Sequence, residues 1–272
     1  MSETPQRDGP RQAAETRPAA TVLLLRDEPE FQVLMVKRHH QIDFASGALV
    51  FPGGKTHAGD ADAAWAAHCV GWDAFDDEQR TLRIGAIREA WEEAGVLLAE
   101  HHDGRHFAEA CELSLREAVD RGEVAFLDVV RDLGVRLRLD ALTVFARWIT
   151  PVMMPKRFDT WFYAIRAPAD QVAVCDGREA VDAEWIAPGE VLRLAEAGQR
   201  TVIFPTRMNV QLLAEAVSAD DCVTRAEART LVTVLPTVER RGEANFLVLP
   251  PDAGYGAVAE PMERISAEGR RG

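Results

Sequence analysis

The alternation of hydrophobic and polar positions changes along the chain, and these changes predict its elements. Runs rich in Val and Leu, Thr21 to Leu25 and Phe31 to Arg38, flank four turn-forming residues and predict a β-hairpin. A further extended piece, residues 48–51, leads into a Pro-Gly-Gly turn. The spacing becomes helical over residues 62–100, with a break near Gly71 and a second helix from about Arg80.

The second half of the chain contains both helical and strand-like spacing of hydrophobic residues. The spacing predicts helix over 106–133, then strands at 143–149, 161–166 and 183–186, helices at 188–198 and 206–217, and short strands within 229–249. The pattern therefore predicts an α+β fold with additional helical insertions. We divide the chain into a flexible N-terminal tail (1–17), one folded domain (18–256) with insertions at about 61–87 and 101–140, and a C-terminal tail (257–272).

The net charge of the chain and its lack of long apolar segments limit the classes of function that we expect. The 272 residues include 31 Lys and Arg against 44 Asp and Glu, a formal net charge of −13. Because a negative surface repels phosphate backbones and no Lys/Arg tract is present, generic nucleic-acid binding is not expected. The N-terminal stretch lacks the apolar core of a secretory signal, and no apolar run approaches the roughly 20 residues that span a bilayer. We expect a cytoplasmic protein with no membrane partner.

The segment from Arg88 to Val96 carries the most specific chemistry. On a helix, Glu89, Glu92 and Glu93 lie at positions i, i+3 and i+4, so three carboxylates share one face. Like charges at this spacing repel, and either solvent or a bound cation must offset the repulsion. Oxygen ligands of this kind favour Mg²⁺, Mn²⁺ or Ca²⁺, and Arg88 is spaced to form an ion pair with Glu92. A solvated, charged helix face is the alternative interpretation.

Together with Phe51-Pro52-Gly53-Gly54, this segment resembles the box of the Nudix hydrolase family. That box runs from a glycine through five residues to a glutamate, then seven residues to an Arg-Glu-x-x-Glu-Glu-x-Gly segment. Gly54 matches the first glycine, and residues 88–96 match the second half, although Ala90 replaces a larger aliphatic residue. The first glutamate position holds Asp60, and 27 residues separate it from Arg88. The insertion leaves the helix intact, and leaves open whether Asp60 is the counterpart of that glutamate.

The resemblance implies a Nudix α/β/α sandwich with a mixed sheet, and a hydrolase that cleaves nucleoside diphosphate derivatives with Mg²⁺ or Mn²⁺. It implies Glu89, Glu92 and Glu93 as metal ligands and Glu92, Glu93 and Arg88 as catalytic residues, with Arg88 orienting the carboxylates. Glu179 is the candidate base outside the box, ahead of Asp182 and Glu184; an exposed turn acid is its alternative interpretation. The candidate substrate contacts are Arg38, Gly53, Gly54, Arg157 and Phe158. For Arg157 and Phe158, a surface charge and a sheet-core residue are equally good interpretations.

Short sequence segments outside the box are similar to those of the long Nudix subgroup related to mammalian peroxisomal coenzyme A diphosphatase, the Nudix type 19 group. They lie at 145–151, 156–160 and 249–255. Within a coenzyme A signature of other Nudix diphosphatases, Arg38 and Gly47 match but His39 and Asp43 do not. The chain ends without a Ser-Lys-Leu peroxisomal signal, so the location of that group does not transfer.

Coenzyme A or acyl-CoA is therefore the first candidate substrate. NADH, ADP-ribose, a dinucleoside polyphosphate or an RNA cap are alternatives with the same chemistry. A non-catalytic module that binds a nucleotide and regulates a partner is a further alternative, and a homodimer through the inserted helices is compatible with any of these functions.

Overall fold

The computed structural model describes residues 14–38, 47–109, 111–175, 177 and 180–268. Its strands are β1 (Thr16–Arg26), β2 (Gln32–Arg38), β3 (Leu49–Val50), β4 (Gly53–Lys55), β5 (Cys69–Val70), β6 (Ala99–His101), β7 (Val135–Arg138), β8 (Thr143–Ile149), β9 (Arg157–Arg166), β10 (Ala180–Ile186), β11 (Thr233–Val234), β12 (Thr237–Arg241), β13 (Ala244–Val248) and β14 (Ala259–Pro261). Its α-helices are α1 (Asp77–Ala94), α2 (Leu113–Asp120), α3 (Phe126–Leu133), α4 (Pro188–Glu196), α5 (Phe204–Leu213), α6 (Ala219–Ala228) and α7 (Met262–Glu268).

A mixed sheet with the order β10-β2-β1-β9-β8-β11 forms the centre of the molecule. β1 runs parallel to β9, from the pair Thr16–Arg157 to the pair Leu25–Arg166, but β1 pairs with β2 only near their connecting turn. Where β1 and β2 separate, β3 pairs with β2 and β4 pairs with β1. The glycine turn between β3 and β4 therefore lies at the opening between two central strands.

Side chains alternate across this sheet and bury both of its faces. Val22 and Leu24 of β1 belong to the core that contains α1, whereas Leu23 and Leu25 belong to the core that contains α4, α5 and α6. Because both faces of a central strand are apolar, each face requires a covering layer. The predicted α/β/α sandwich with a mixed sheet is confirmed.

The first inserted segment is not the helix that the spacing predicts. Residues 58–74 form three short 3₁₀ turns and the two-residue strand β5, and the long helix begins only at Asp77. Asp62 accepts a hydrogen bond from the amide of Ala64, which ends one turn and begins the next. Trp65 is buried, donates to the carbonyl of Gly59 at 2.9 Å and packs against the ring of Phe126. This segment is therefore held by side-chain anchors rather than by helical periodicity.

The second inserted segment contains two helices rather than a continuous one, because α2 and α3 are separated by a turn at residues 121–125. Between the two inserted segments, a second small sheet pairs β7 with both β5 and β6. Its strands come from both sides of α1 in the sequence, so local patterning gave no sign of it.

The described structure starts before residue 18 and continues past residue 256. β1 begins at Thr16, and β14 and α7 lie in the stretch that we predict as a C-terminal tail. β14 pairs with β13, and Met262 and Ile265 of α7 pack against the apolar core. That packing and the ion pairs of Glu260 and Glu268 with Arg207 hold residues 259–268 on the domain, which corrects the boundary at 256. Among the described residues, no helix has the length and apolar character needed to cross a membrane.

Candidate active site

The C-terminal half of α1 carries the predicted carboxylates into the interior. Asp76 accepts from the amide of Gln79 at the first turn, and Gly95 ends the helix with a φ of 72°. Every residue from Leu82 to Ala94 is buried, including Glu89, Glu92 and Glu93, of which only 7%, 6% and 4% is exposed. A solvated helix face would leave these acids in water, so that alternative does not describe this helix.

Arg88 gathers the acids around one guanidinium. Its Nη1 donates to Glu89 Oε1 at 2.9 Å and to Glu92 Oε2 at 2.7 Å. Its Nε and Nη2 donate to the two oxygens of Asp60 at 3.0 and 3.1 Å, and Nη2 also donates to the carbonyl of Lys55. Burial alone would lower the pKa of Arg88, but the carboxylates of Glu89 and Asp60 raise it. The ion pair with Glu92 that the i, i+4 spacing predicts is present.

Asp60 lies at this site despite the insertion between it and Arg88. It is 2% exposed and lies in the 3₁₀ turn Ala58–Ala61, where its Oδ2 also accepts from the amide of His57 at 2.8 Å. Gly85 of α1 permits this approach, because a Cβ there would lie 3.0 Å from Asp60 Oδ2. The spacing from Gly54 raised position 60 as a candidate and left its role open, and the structure brings Asp60 against Arg88. A glycine within a helix, which costs roughly 1 kcal/mol relative to alanine, was a second signal.

The glycine turn contacts the acids through its backbone. The amide of Gly53 donates to Glu93 Oε2 at 3.0 Å. A Cβ on Gly54 would lie 2.6 Å from the carboxylate of Glu89, so any larger residue there would displace that carboxylate. Both glycines therefore lie against the predicted metal ligands.

Glu92 is the acid whose environment is least satisfied. Its Oε1 is buried and lacks a hydrogen-bond partner in the described part of the chain. Burial raises the pKa of Glu92 to about 8; Arg88 opposes this shift and Glu89 adds to it. Since three carboxylates share one guanidinium, an additional cation would stabilise the ionised form.

The donor chemistry of this cluster fits a hard divalent cation. Three carboxylates lie within one helical turn, and one of their oxygens is buried without a hydrogen-bond partner among the residues that the structure describes. Within the described ranges, no three His, Cys, Asp or Glu side chains are already arranged to hold a metal ion.

The other predicted substrate residues, Arg157, Phe158 and Arg38, have contacts of their own outside the acid cluster. Arg157 donates to the carbonyls of Thr150 and Ala14, at 3.0 and 2.7 Å, and so ties the β8–β9 hairpin to the start of β1. Phe158 is half-buried, and its amide donates to Thr150 Oγ1. Arg38 ends β2, where its backbone pairs with Ala180.

The candidate base, Glu179, lies outside the described residues. Its neighbour Ala180 begins β10. Of the other two acids considered, Asp182 is exposed and Glu184 lies 3.5 Å from Arg200.

Sequence reasoning missed a buried arginine on the inserted helix α2. Arg116 is 3% exposed, and its Nη2 donates to the backbone carbonyl of Glu92 at 2.7 Å. No local signal identifies it, because an arginine within an amphipathic helix ordinarily lies in solvent.

Comparisons with known proteins agree with this geometry. The family model of the NUDT19 Nudix domain matches residues 73–209. The acyl-coenzyme A diphosphatase NUDT19 of Xenopus laevis is 25% identical over 206 residues, which cover 60% of this chain and 54% of that protein. The human protein of the same name is 26% identical over 282 residues, covering 86% of this chain and 75% of its own length.

The chain spans about half the length of the frog protein and of its relative in Gallus gallus. Among solved structures, the crystal structure of a Nudix hydrolase from Alicyclobacillus acidocaldarius is similar, with a TM-score of 0.68 and 26% identity. The superposition covers 77% of this chain and 96% of that chain.

Proposed function

This chain belongs to the NUDT19 Nudix family, and from that premise we propose that it is a metal-dependent hydrolase of the diphosphate linkage in nucleoside diphosphate derivatives. The observation that carries the proposal is the buried cluster in which Asp60, Glu89 and Glu92 share the guanidinium of Arg88. A protein gains nothing in stability from burying so much unbalanced charge, whereas a cation-dependent reaction requires it.

Each member of the cluster has a distinct proposed role. Glu89, Glu92 and Glu93 hold the divalent ions that Nudix hydrolases generally use, and we propose Mg²⁺ or Mn²⁺ here. A cation bound there would neutralise substrate phosphate charge and lower the pKa of a water molecule. Arg88 orients the acids, and the amide of Gly53 holds Glu93 in place.

The substrate class is the next part of the proposal. The names of the frog, chicken and human relatives favour coenzyme A or an acyl-CoA. Hydrolysis would add water across one phosphoanhydride bond and release two phosphorylated fragments. The candidate substrate contacts stay Arg38, Gly53, Gly54, Arg157 and Phe158, and Glu179 stays the candidate base. A cytoplasmic location and a homodimer also stay predictions, which imaging of the tagged chain and light scattering over a concentration series would test.

The test is a cleavage assay with matched variants. Purified wild type, Glu93→Gln and Glu78→Gln are incubated with coenzyme A, an acyl-CoA, NADH, ADP-ribose, a dinucleoside polyphosphate and a capped RNA, with and without Mg²⁺ or Mn²⁺. Mass spectrometry identifies the fragments. Glu78 is an exposed acid in the first turn of the same helix, so its variant controls for the loss of one charge.

We expect metal-dependent cleavage of coenzyme A or its acyl esters by wild type and Glu78→Gln, and a fall of about 10²-fold or more for Glu93→Gln. Cleavage at the wild-type rate by Glu93→Gln would remove Glu93 from the mechanism. Binding without cleavage of every compound would favour the regulatory nucleotide-binding module. Cleavage of another panel member would keep the diphosphatase and change its substrate.

A further inference from the structure

The inserted helix α2 packs against the C-terminal half of α1 and directs charged side chains toward it. Arg116 is buried in this contact, where its Nη2 donates to the carbonyl of Glu92 at 2.7 Å. One turn later on α2, the negative charge of Asp120 acts on Glu92, where burial and neighbouring acids raise the pKa. A buried guanidinium is costly unless it donates hydrogen bonds, and Arg116 donates one to the end of α1.

The hydrogen bond from Arg116 is made to the last turn of α1. The last four carbonyls of a helix have no partner within it, and they fray unless other groups cap them. Here Gly95 donates to the carbonyl of Trp91, Val174 donates to that of Ala94 at 2.9 Å, and Arg116 donates to that of Glu92. The capped turn is the one from which the Glu92 and Glu93 side chains project.

Gly95 makes room for this arrangement. Its φ of 72° turns the chain out of the helix, and a Cβ there would lie 2.9 Å from Nη1 of Arg116. The guanidinium thus lies against the helix end as well as on the carbonyl of Glu92.

We propose that Arg116 is a positioning residue of the active site. By holding the carbonyl of Glu92, it fixes the last turn of α1 and therefore the directions of the Glu92 and Glu93 carboxylates. The segment inserted after the helix thus builds part of the site from outside the motif that carries the ligands. This inference rests on the proposed function of the cluster.

The test compares Arg116→Met and Arg116→Lys with Arg121→Met. Arg121 follows α2, and its side chain is 39% exposed in ion pairs with two neighbouring acids, so its variant removes an equal charge outside the contact. Calorimetric titration with Mn²⁺ alone and the electron paramagnetic resonance spectrum of the bound ion are the primary readouts. Thermal unfolding and the separate values of kcat and KM accompany them.

For Arg116→Met we expect Mn²⁺ affinity and kcat to fall by about 10- to 100-fold, the range typical of residues that orient metal ligands, with KM nearly unchanged. Arg116→Lys should recover part of the loss, because an ammonium can donate to the same carbonyl. Arg121→Met should match wild type. A lower unfolding temperature with unchanged Mn²⁺ affinity, spectrum and kcat would overturn the inference, since Arg116 would then be only structural.

A second variant covers the case in which Arg116→Met does not fold. Gly95→Asn keeps a residue that tolerates positive φ, and its Cβ displaces the guanidinium from Glu92 without deleting it. A comparable loss of Mn²⁺ affinity supports the proposal, and wild-type affinity contradicts it. If wild type itself binds no Mn²⁺ and cleaves nothing, the proposed function fails; if wild type does both and the variants match it, only the role of Arg116 fails.

Discussion

Two clusters of charged side chains, associated with opposite faces of the central sheet, differ in the balance of acidic and basic groups. At the end of α1, the acids of Asp60, Glu89 and Glu92 share the single guanidinium of Arg88. At the C-terminus, Arg207 and Arg264 pair with Glu260 and Glu268, at N–O distances of 3.1 to 3.6 Å. The first cluster has an excess of acid, and the second has equal numbers of each sign.

We propose that this difference separates a site that binds a cation from a structural contact. In the C-terminal cluster, two arginines face two acids and help to hold α7 on the domain. Each cluster also has a buried acid oxygen without a hydrogen-bond partner in the described part of the chain, Oε1 of Glu92 and Oε2 of Glu268, and burial raises the pKa of both acids. The excess of acid around Arg88, rather than an unpartnered oxygen, is therefore the feature that indicates a bound cation.

The largest expected effect follows from removing the shared guanidinium. Arg88→Met leaves three buried carboxylates without their cation, and breaking such a set costs about 3–5 kcal/mol. Urea unfolding measures the loss, and the diphosphate panel should show no turnover. Arg264→Met is the matched control in the balanced cluster. The Arg264 side chain is 54% exposed, so its ion pairs contribute about 1 kcal/mol or less.

If Arg88→Met lowered the free energy of unfolding no more than Arg264→Met, the α1 cluster would not be strained by its charge. The two clusters would then not differ in how much their arginines contribute to the free energy of unfolding.

The next effect is the pH dependence of the strained acid. Because the folded state raises the pKa of Glu92 to about 8 from an ordinary value of 4.5, the protonated form is favoured on folding. The preference of the folded state for protonated Glu92 contributes fully to stability below pH 4.5, and this contribution is lost as the pH rises through 8. In chelator, Glu92→Gln should match wild type near pH 4.5 and exceed its free energy of unfolding by a few kcal/mol at pH 9. This magnitude follows because each tenfold change in a protonation equilibrium corresponds to roughly 1.4 kcal/mol.

Thermal unfolding at these two pH values checks this prediction, with Glu78→Gln as the exposed control. Adding Mn²⁺ at pH 9 should stabilise wild type and leave Glu92→Gln nearly unchanged. Equal stability of the two proteins at pH 9 in chelator would show that Glu92 is not strained.

Local sequence signals predicted the helices and strands whose ends are set by neighbouring residues. Pro188 opens α4, Gly95 closes α1, and the strand over 143–149 was predicted with the observed bounds. α6 was missed although Ser218 caps it in the ordinary way, by accepting from the amide of Asp221. Within 58–74, the helical spacing was misleading because Gly59 and Asp62 favour separate turns.

The site residues also divide into those that local spacing predicted and those that long-range packing brings to the site. The carboxylates of α1 followed from helical spacing and from the resemblance to a known box. The ion pair of Arg88 with Glu92 followed from the spacing, but the role of Asp60 stayed open, because 27 residues of chain separate it from Arg88. Arg116 could not be found at all, since its burial depends on how α2 docks against α1. Contacts between distant segments are set by packing, which a single sequence does not display.

The smallest effect tests the balanced cluster directly. Glu260→Gln removes one acid that contacts Arg207 at 3.2 Å and Arg264 at 3.1 Å, while Glu268 still faces both arginines. Because these contacts are ion pairs to a half-exposed and a partly buried arginine, and the remaining acid compensates in part, we expect a loss of about 1 kcal/mol or less in the free energy of unfolding. Turnover of the cleaved substrate should stay within about twofold of wild type, measured at a temperature where both proteins are folded. A tenfold loss of turnover with unchanged unfolding would mean that the C-terminal cluster acts on the site across the sheet. Balance of charge would then no longer distinguish a structural cluster from a functional one.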